Sequence, residues 1–266
     1  VVGQSDFIGF FVWFKQREDL ENEYRIHDSN HRDHQLEAVR SAIASIQRGL
    51  NGLNARTACG PFVPELSNLR VQRALMRMVV QKEDSMLYVD QLSEGEKCLL
   101  AMVGDLARSL CTANPYADEP LHGGGVVLID EIELHLHPRW QWQILAALTK
   151  TFPGCQFIVA THSPQVMSSA PAGSVRLIDA EHRVHNVERT SGKDTNSLLE
   201  DIFGVPPRPA NVVEMLHELS RRIEDGQLDT AKALAKELAD LLGEDDTQVV
   251  SARWEISMAE TGDAEN

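Results

Sequence analysis

At 266 residues the chain is long enough for one large domain, or for one domain with an appendage. Its net charge of −15 argues against a protein that coats nucleic acid over its whole surface, but leaves room for a local basic groove. No apolar run approaches the roughly 18 residues of a membrane span, and Val1-Val2-Gly3 shows neither an initiator Met nor a signal-peptide pattern. Cys59, Cys98, Cys111 and Cys155 form no CxxC pair, so reduced thiols in a cytoplasmic protein are expected.

Residues 6–26 carry Phe7, Phe10, Phe11, Phe14, Leu20 and Tyr24 at roughly helical spacing. A second helix over 33–48 places Leu36, Val39, Ile43 and Ile46 on one stripe. The Gly-, Pro- and Asn-rich stretch 51–68 reads as a connection. Strands are expected at 69–73, 76–81 and 86–90, the last two joined as a hairpin by Lys82-Glu83-Asp84-Ser85. Arg70, Arg73, Arg77 and Lys82 crowd this region and read as a solvated edge. At residue 93 the period changes to that of a helix; Ser93 followed by Glu96 is a capping-box pattern, and the helix runs to about Cys111. A polar loop leads to a buried strand ending at Asp130, Pro138 opens a helix to about Thr151, and 155–160 is a second buried strand. Strands near 174–179 and 183–187 are expected to close the sheet. Pro206-Pro207-Arg208-Pro209 is a stiff break before helices at 210–224, 228–242 and about 246–259, with a frayed tail from Thr261.

The chemistry concentrates at strand ends. Val126-Val127-Leu128-Ile129 ends in Asp130-Glu131, so an apolar strand carries two carboxylates to the sheet edge where open α/β folds bind ligands. Asp130 is placed to hold Mg²⁺, directly or through water, and Glu131 to polarise a water that attacks a phosphate. Solvated acids at a strand end are the plain alternative. His162, in Thr161-His162-Ser163-Pro164 at the tip of the second strand, would reach the same edge and sense a phosphate or orient the water. Ser93 and Gly95 head a helix whose free N–H groups favour an anion, and the glycine leaves a phosphate room to approach; an ordinary N-cap would read the same. His135-x-His137 has no evident third zinc ligand, and Trp140 and Trp142 read as packing residues.

With these elements in this order the chain resembles the ABC-type ATPases that include SMC, Rad50 and RecF. Leu92-Ser93-Glu94-Gly95-Glu96 matches the signature motif and Val126 to Glu131 matches Walker B with its glutamate. Glu133 to Pro138 occupies the D-loop position, and Ala160-Thr161-His162-Ser163-Pro164 matches the switch-histidine motif. The resemblance implies an α/β fold, a P-loop NTPase of ABC-ATPase type represented from signature to switch histidine. It divides the chain into a helical insert or arm (1–60), the ATPase domain (61–190) and a helical C-terminal region (191–266). More narrowly, the stretch from Gln91 to Leu110, the Ile-Glu-Leu-His-Leu-His-Pro run and Gln156 to Gln165 look like PtuA-like ATPases of Septu-type and retron-associated anti-phage defence. Those work with an HNH-nuclease partner.

Carried onto this chain, the resemblance implies that Asp130 coordinates Mg²⁺, Glu131 is the general base and His162 contacts the γ-phosphate of ATP. Ser93 and Gly95, with Glu96 in the same motif, would meet ATP bound to the opposite subunit of a homodimer that sandwiches two nucleotides. No Gly-x-x-x-x-Gly-Lys-Ser/Thr occurs, and Ser191-Gly192-Lys193 lacks the upstream glycine. The Walker A lobe is therefore expected before residue 1, and this chain alone should hydrolyse ATP poorly or not at all. The leading reading is an ATP-dependent dimer acting as sensor or regulator of a partner nuclease. The alternative is a RecF- or SMC-like repair ATPase that clamps duplex DNA, against which the acidic balance and the lack of a long coiled coil weigh. A transporter subunit fits the Thr-His-Ser-Pro motif poorly.

Overall fold

The computed structural model describes residues 7–51 and 66–263, in two compact units that divide between Lys193 and Asp194. In the first unit, helices α1 (Phe7–Arg25) and α2 (His34–Asn51) form where apolar spacing predicts them. Asp33 starts α2 by accepting the Gln35 and Leu36 N–H groups at 3.1 and 3.0 Å. Most of the connection expected at 51–68 lies outside the described residues.

Helix α1 buries Phe10 and Phe14, and with them Glu18 and Glu21. Buried carboxylates need partners. Glu21 pairs with Arg25 at 3.0 Å and Arg40 at 3.4 Å, while Glu18 accepts the Val71 N–H at 2.9 Å. These bonds tie α1 to α2 and to the first strand. Strands β1 (Leu66–Gln72), β2 (Arg77–Lys82) and β3 (Ser85–Tyr88) make an antiparallel sheet in chain order, with a bulge in β1 between Ser67 and Arg70. The basic residues here do more than line a solvated edge. Arg73 pairs with Asp19 at 2.7 Å, Lys82 with Glu96 at 2.8 Å, and Arg77 with Asp90.

Helix α3 (Glu94–Ala113) leads through a loop to β4 (Gly125–Ile129), which pairs parallel with β5 (Cys155–Val159). Between them the single helix expected from Pro138 is two: α4 (Pro138–Gln141) and α5 (Ile144–Thr151). At the break the Gln143 N–H bonds Trp140 O at 2.9 Å, a tighter i→i+3 turn in place of the α-helical ladder. Helix α6 (Pro164–Ser169) follows β5, and Ser163 caps it by accepting the Val166 N–H. One core runs through the unit, holding Phe10, Leu36, Val80, Val103, Leu148 and Val166.

Two expectations about the sheet are corrected. Strands β6 (Val175–Ile178) and β7 (Val184–Val187) do not extend β4–β5; they pair with each other in a separate antiparallel hairpin. The hairpin is locally self-sufficient: Asp179 accepts the Glu181 and Arg183 N–H groups at 3.0 and 2.8 Å and also bonds the Arg183 and His185 side chains. Nor are β4 and β5 buried on both faces. Ile129, Phe157 and Val159 pack on the core, but Val126, Leu128 and Ile158 on the other face are 64, 73 and 53% exposed.

The second unit begins with a helix the sequence reading omitted, α7 (Thr195–Phe203). Asp194 caps it by accepting the Asn196 and Ser197 N–H groups, and Gly204 ends it at φ 61°. Helices α8 (Ala210–Glu224), α9 (Leu228–Leu242) and α10 (Thr247–Asp263) share a core of Val212, Leu219, Leu234, Leu238, Val249 and Ile256. α10 runs on past Thr261, where fraying is expected. Among the described residues no helix is long and apolar enough to cross a membrane.

Candidate functional site

The parallel register of β4 and β5 sets the geometry. Val126↔Gln156 through Ile129↔Val159 bring the two strand tips level, and the Ala160 N–H extends the ladder to Ile129 O at 2.8 Å. Asp130 and Glu131 therefore leave one tip beside the Thr161-His162 segment leaving the other. His162 Nε2 lies 3.7 Å from Glu131 Oε1, with the side chains 79 and 46% exposed. That separation is longer than a direct hydrogen bond, and both exposed groups face the open sheet edge, where a water or phosphate oxygen could meet them from one side. Glu131 itself adopts φ 50°, a left-handed conformation that a non-glycine residue takes at a cost of about 1–3 kcal/mol and that recurs at functional sites.

The chain then turns sharply through residues 131–137, the Leu134 N–H bonding Glu131 O and the Leu136 N–H bonding Glu133 O, both at 2.9 Å. Asp130, exposed at the strand tip, fits a Mg²⁺ ion, which takes one or two protein carboxylates and completes its shell with waters and phosphate oxygens. Among the described residues no group of three or more His, Cys, Asp or Glu side chains could form an all-protein cage. His135 and His137 thus belong to no such cluster, and the His137 Nδ1 accepts the Arg139 N–H at the start of α4.

Ser93, Gly95 and Glu96 form a second group. Ser93 is the N-cap of α3 with both arms of the capping box in place. Glu96, expected among the ligand-binding residues, turns inward and is 5% exposed. Its carboxylate accepts the Ser93 N–H at 3.0 Å, the Ser93 hydroxyl at 2.8 Å and the Lys82 ammonium at 2.8 Å, so it holds Ser93 in place. Burial pushes the Glu96 carboxyl pKa up, but Lys82 and Ser93 outweigh it and the net shift is downward. Gly95 also has a task inside the chain: a Cβ there would lie 2.4 Å from the His135 carbonyl oxygen and 3.4 Å from the Trp140 ring. An open cleft of about 640 Å³ lies over this helix start, lined by Lys82, Ser93, Glu94, His135, His137 and Trp140. The turn 131–137 joins the two groups, starting at Glu131 in one and packing His135 on the other.

Glu133, which the resemblance places at the D-loop position, carries no assigned role in the sequence. Its carboxylate accepts the Thr161 hydroxyl and the His162 N–H, each at 2.5 Å. Burial raises its pKa, but these two bonds, with its own N–H and the adjoining Glu131 side chain, outweigh that and hold it below the usual carboxylate range. The signal available was a third acid two residues after Asp130-Glu131.

A family model described as "AAA domain, putative AbiEii toxin, Type IV TA system" matches residues 10–168. The chain is 33% identical over 297 residues to "Retron Ec83 probable ATPase" of Escherichia coli, covering 96% of this chain and 55% of that protein. It is 31% identical over 261 residues to "Retron Vc95 probable ATPase" of Vibrio cholerae, covering 86% of this chain and 51% of that protein. Over 96 residues, 36% of this chain and 13% of the other, it is 35% identical to "Septu protein PtuA" of Bacillus mycoides. The chain spans about half the length of the retron proteins it matches. The likeness to retron-associated and Septu ATPases drawn from the motifs stands on these matches.

Proposed function

The chain belongs to the AAA-domain family whose model spans residues 10–168, and on that premise we propose that it forms part of an ATP-binding and hydrolysing ATPase of anti-phage defence. The observation that carries this reading is the exposed Glu131–His162 pair, 3.7 Å apart at the tip of a parallel sheet and next to Asp130. Glu131 takes a proton from the attacking water, and His162 donates a hydrogen bond to a phosphate oxygen and keeps that water in line. Asp130 would hold Mg²⁺, which supplies positive charge against the phosphates. The loop that wraps the phosphates would come from a segment outside these 266 residues.

Ser93 and the N–H groups at the start of α3 would meet the nucleotide of a second subunit, so that ATP closes a homodimer and hydrolysis resets it. The closed dimer would regulate an HNH-type nuclease partner in the cytoplasm. A clamp on duplex DNA has less support, because Arg73, Arg77 and Lys82 are engaged in ion pairs within the chain.

The test is the full-length protein carrying Glu131→Gln. Loss of a general base lowers turnover by about 10²- to 10⁴-fold while ATP binding persists. Unchanged turnover would overturn the assignment. For the dimer, Ser93→Arg abolishes ATP-dependent dimerisation measured by light scattering, and a dimer that survives intact contradicts the contact across subunits.

A further inference from the structure

Glu133 stands in the turn that begins at Glu131, where its carboxylate meets its own N–H and the Glu131 side chain, yet its reach extends beyond that turn. It reaches across to a segment 28 and 29 residues later in the chain, accepting Thr161 Oγ1–H on one oxygen and the His162 N–H on the other, each at 2.5 Å. A residue that merely completed its own turn would bond only the groups beside it. This one joins the two strand tips that carry the proposed base and the proposed phosphate contact.

The rest of the Thr161–Ser163 segment is held as firmly. The Thr161 hydroxyl, while donating to Glu133, accepts the Ser163 N–H at 3.0 Å. The Ser163 hydroxyl, in a side chain 5% exposed, donates to Gln141 Oε1 at 2.8 Å. Backbone and neighbours are fixed, while the His162 ring remains 79% exposed and faces Glu131. The chemistry of Glu133 is specific. One N–H and one O–H converge on it, and a carboxylate is the side chain that accepts from both through two equivalent oxygens. An amide would turn an NH₂ toward one of the two donors.

We propose that Glu133 is a positioning residue for His162: it ties the His162 backbone to the Glu131 turn and so sets how imidazole and carboxylate together face the sheet edge where water and phosphate would meet them. This rests on the roles proposed for Glu131 and His162 and deepens them. As a positioning residue Glu133 acts through His162.

The experiment compares full-length wild type with the Glu133→Gln, His162→Ala and double variants. Displacing a catalytic group by a fraction of an ångström costs about 10- to 100-fold in kcat. That loss is expected in Glu133→Gln, with KM for ATP changed by less than about threefold. The double variant should be no slower than His162→Ala alone, because the two substitutions remove one device. Histidine-selective ¹⁵N labelling gives a readout independent of turnover. The resonance missing in His162→Ala identifies the His162 amide, whose proton lies downfield in wild type and moves upfield in Glu133→Gln.

An unmoved amide overturns the proposal whatever the kinetics. So does a moved amide with kcat unchanged while His162→Ala is slow, or a double variant whose losses multiply. If His162→Ala itself turns over like wild type, the reading of the site fails first, and the positioning role falls with it.

Discussion

Replacing Gly95 by Ala sets two physical effects against each other with opposite signs. Near the start of a helix, Gly→Ala restricts the unfolded chain and improves helix propensity, a gain of up to about 1 kcal/mol. In this fold the new Cβ would lie 2.4 Å from the His135 carbonyl oxygen, which must retreat beyond 3.0 Å. That oxygen belongs to backbone in a turn whose residues are already hydrogen-bonded, with His135 at φ 62° and Leu136 and Trp140 only 7 and 6% exposed behind it. Overpacking against a fixed neighbour costs about 1–3 kcal/mol. The clash therefore outweighs the propensity gain, and Gly95→Ala is expected to destabilise the protein by about 1–2 kcal/mol. For a domain of this size that lowers Tm by about 2–8 °C. Urea unfolding followed by tryptophan fluorescence checks it, with the midpoint falling at constant m. A midpoint equal to or above that of wild type would refute the reasoning, because propensity alone would then govern the site.

Lys82→Met leaves the inward-facing Glu96 without its cation and should cost about 1–2 kcal/mol at pH 7, somewhat less than a fully buried pair. Because the folded-state pKa of Glu96 is depressed, its contribution is complete above the ordinary value of 4.5 and is lost as pH falls through the lower folded value. Urea midpoints measured from pH 7 to 3 should drop over that range in wild type and drop less in Lys82→Met. Arg40→Met removes one of the cations facing Glu21, which is fully buried, and should destabilise by about 2–4 kcal/mol by urea titration; a loss under about 0.5 kcal/mol would show that Arg25 suffices. Asp194→Ala deletes the cap of α7 and should loosen that helix locally, read as faster amide exchange confined to residues 195–203.

The parts of the site that could be read from the sequence were those governed by local rules. An apolar run ending in two acids, another ending in Thr-His-Ser-Pro, and a Ser-x-x-Glu before an amphipathic run each carry their structure in a few residues. Two parallel strands in register then bring Glu131 and His162 together with little further input. What pairs distant segments was not legible. Glu133 bonds residues 28 and 29 positions away, and its neighbours mark it only as a third acid near the strand tip, not which segment it reaches. Lys82 looked like surface charge because its partner, Glu96, was already spoken for as a capping residue. Helix α7 was missed although Asp194 and Gly204 bracket it, because it is short and sits just before a proline-rich break. The β6–β7 hairpin was misassigned to the main sheet because apolar alternation reports that a strand exists, not which edge it joins.

The uncovered side of β4–β5 bears on how these 266 residues behave in solution. Val126, Leu128 and Ile158 present a greasy strip on a two-stranded ribbon whose outer edges carry no further strand among the described residues. Such surfaces invite edge-to-edge and face-to-face association between copies. The charge of −15 opposes it by mutual repulsion. That repulsion is carried by solvent-exposed charges, and at 1 M salt its range shrinks to about 3 Å, whereas apolar attraction does not weaken. Colloidal stability of the isolated chain is thus a balance that added salt tips toward clustering, the opposite of what is expected for a protein whose copies are held together by ion pairs.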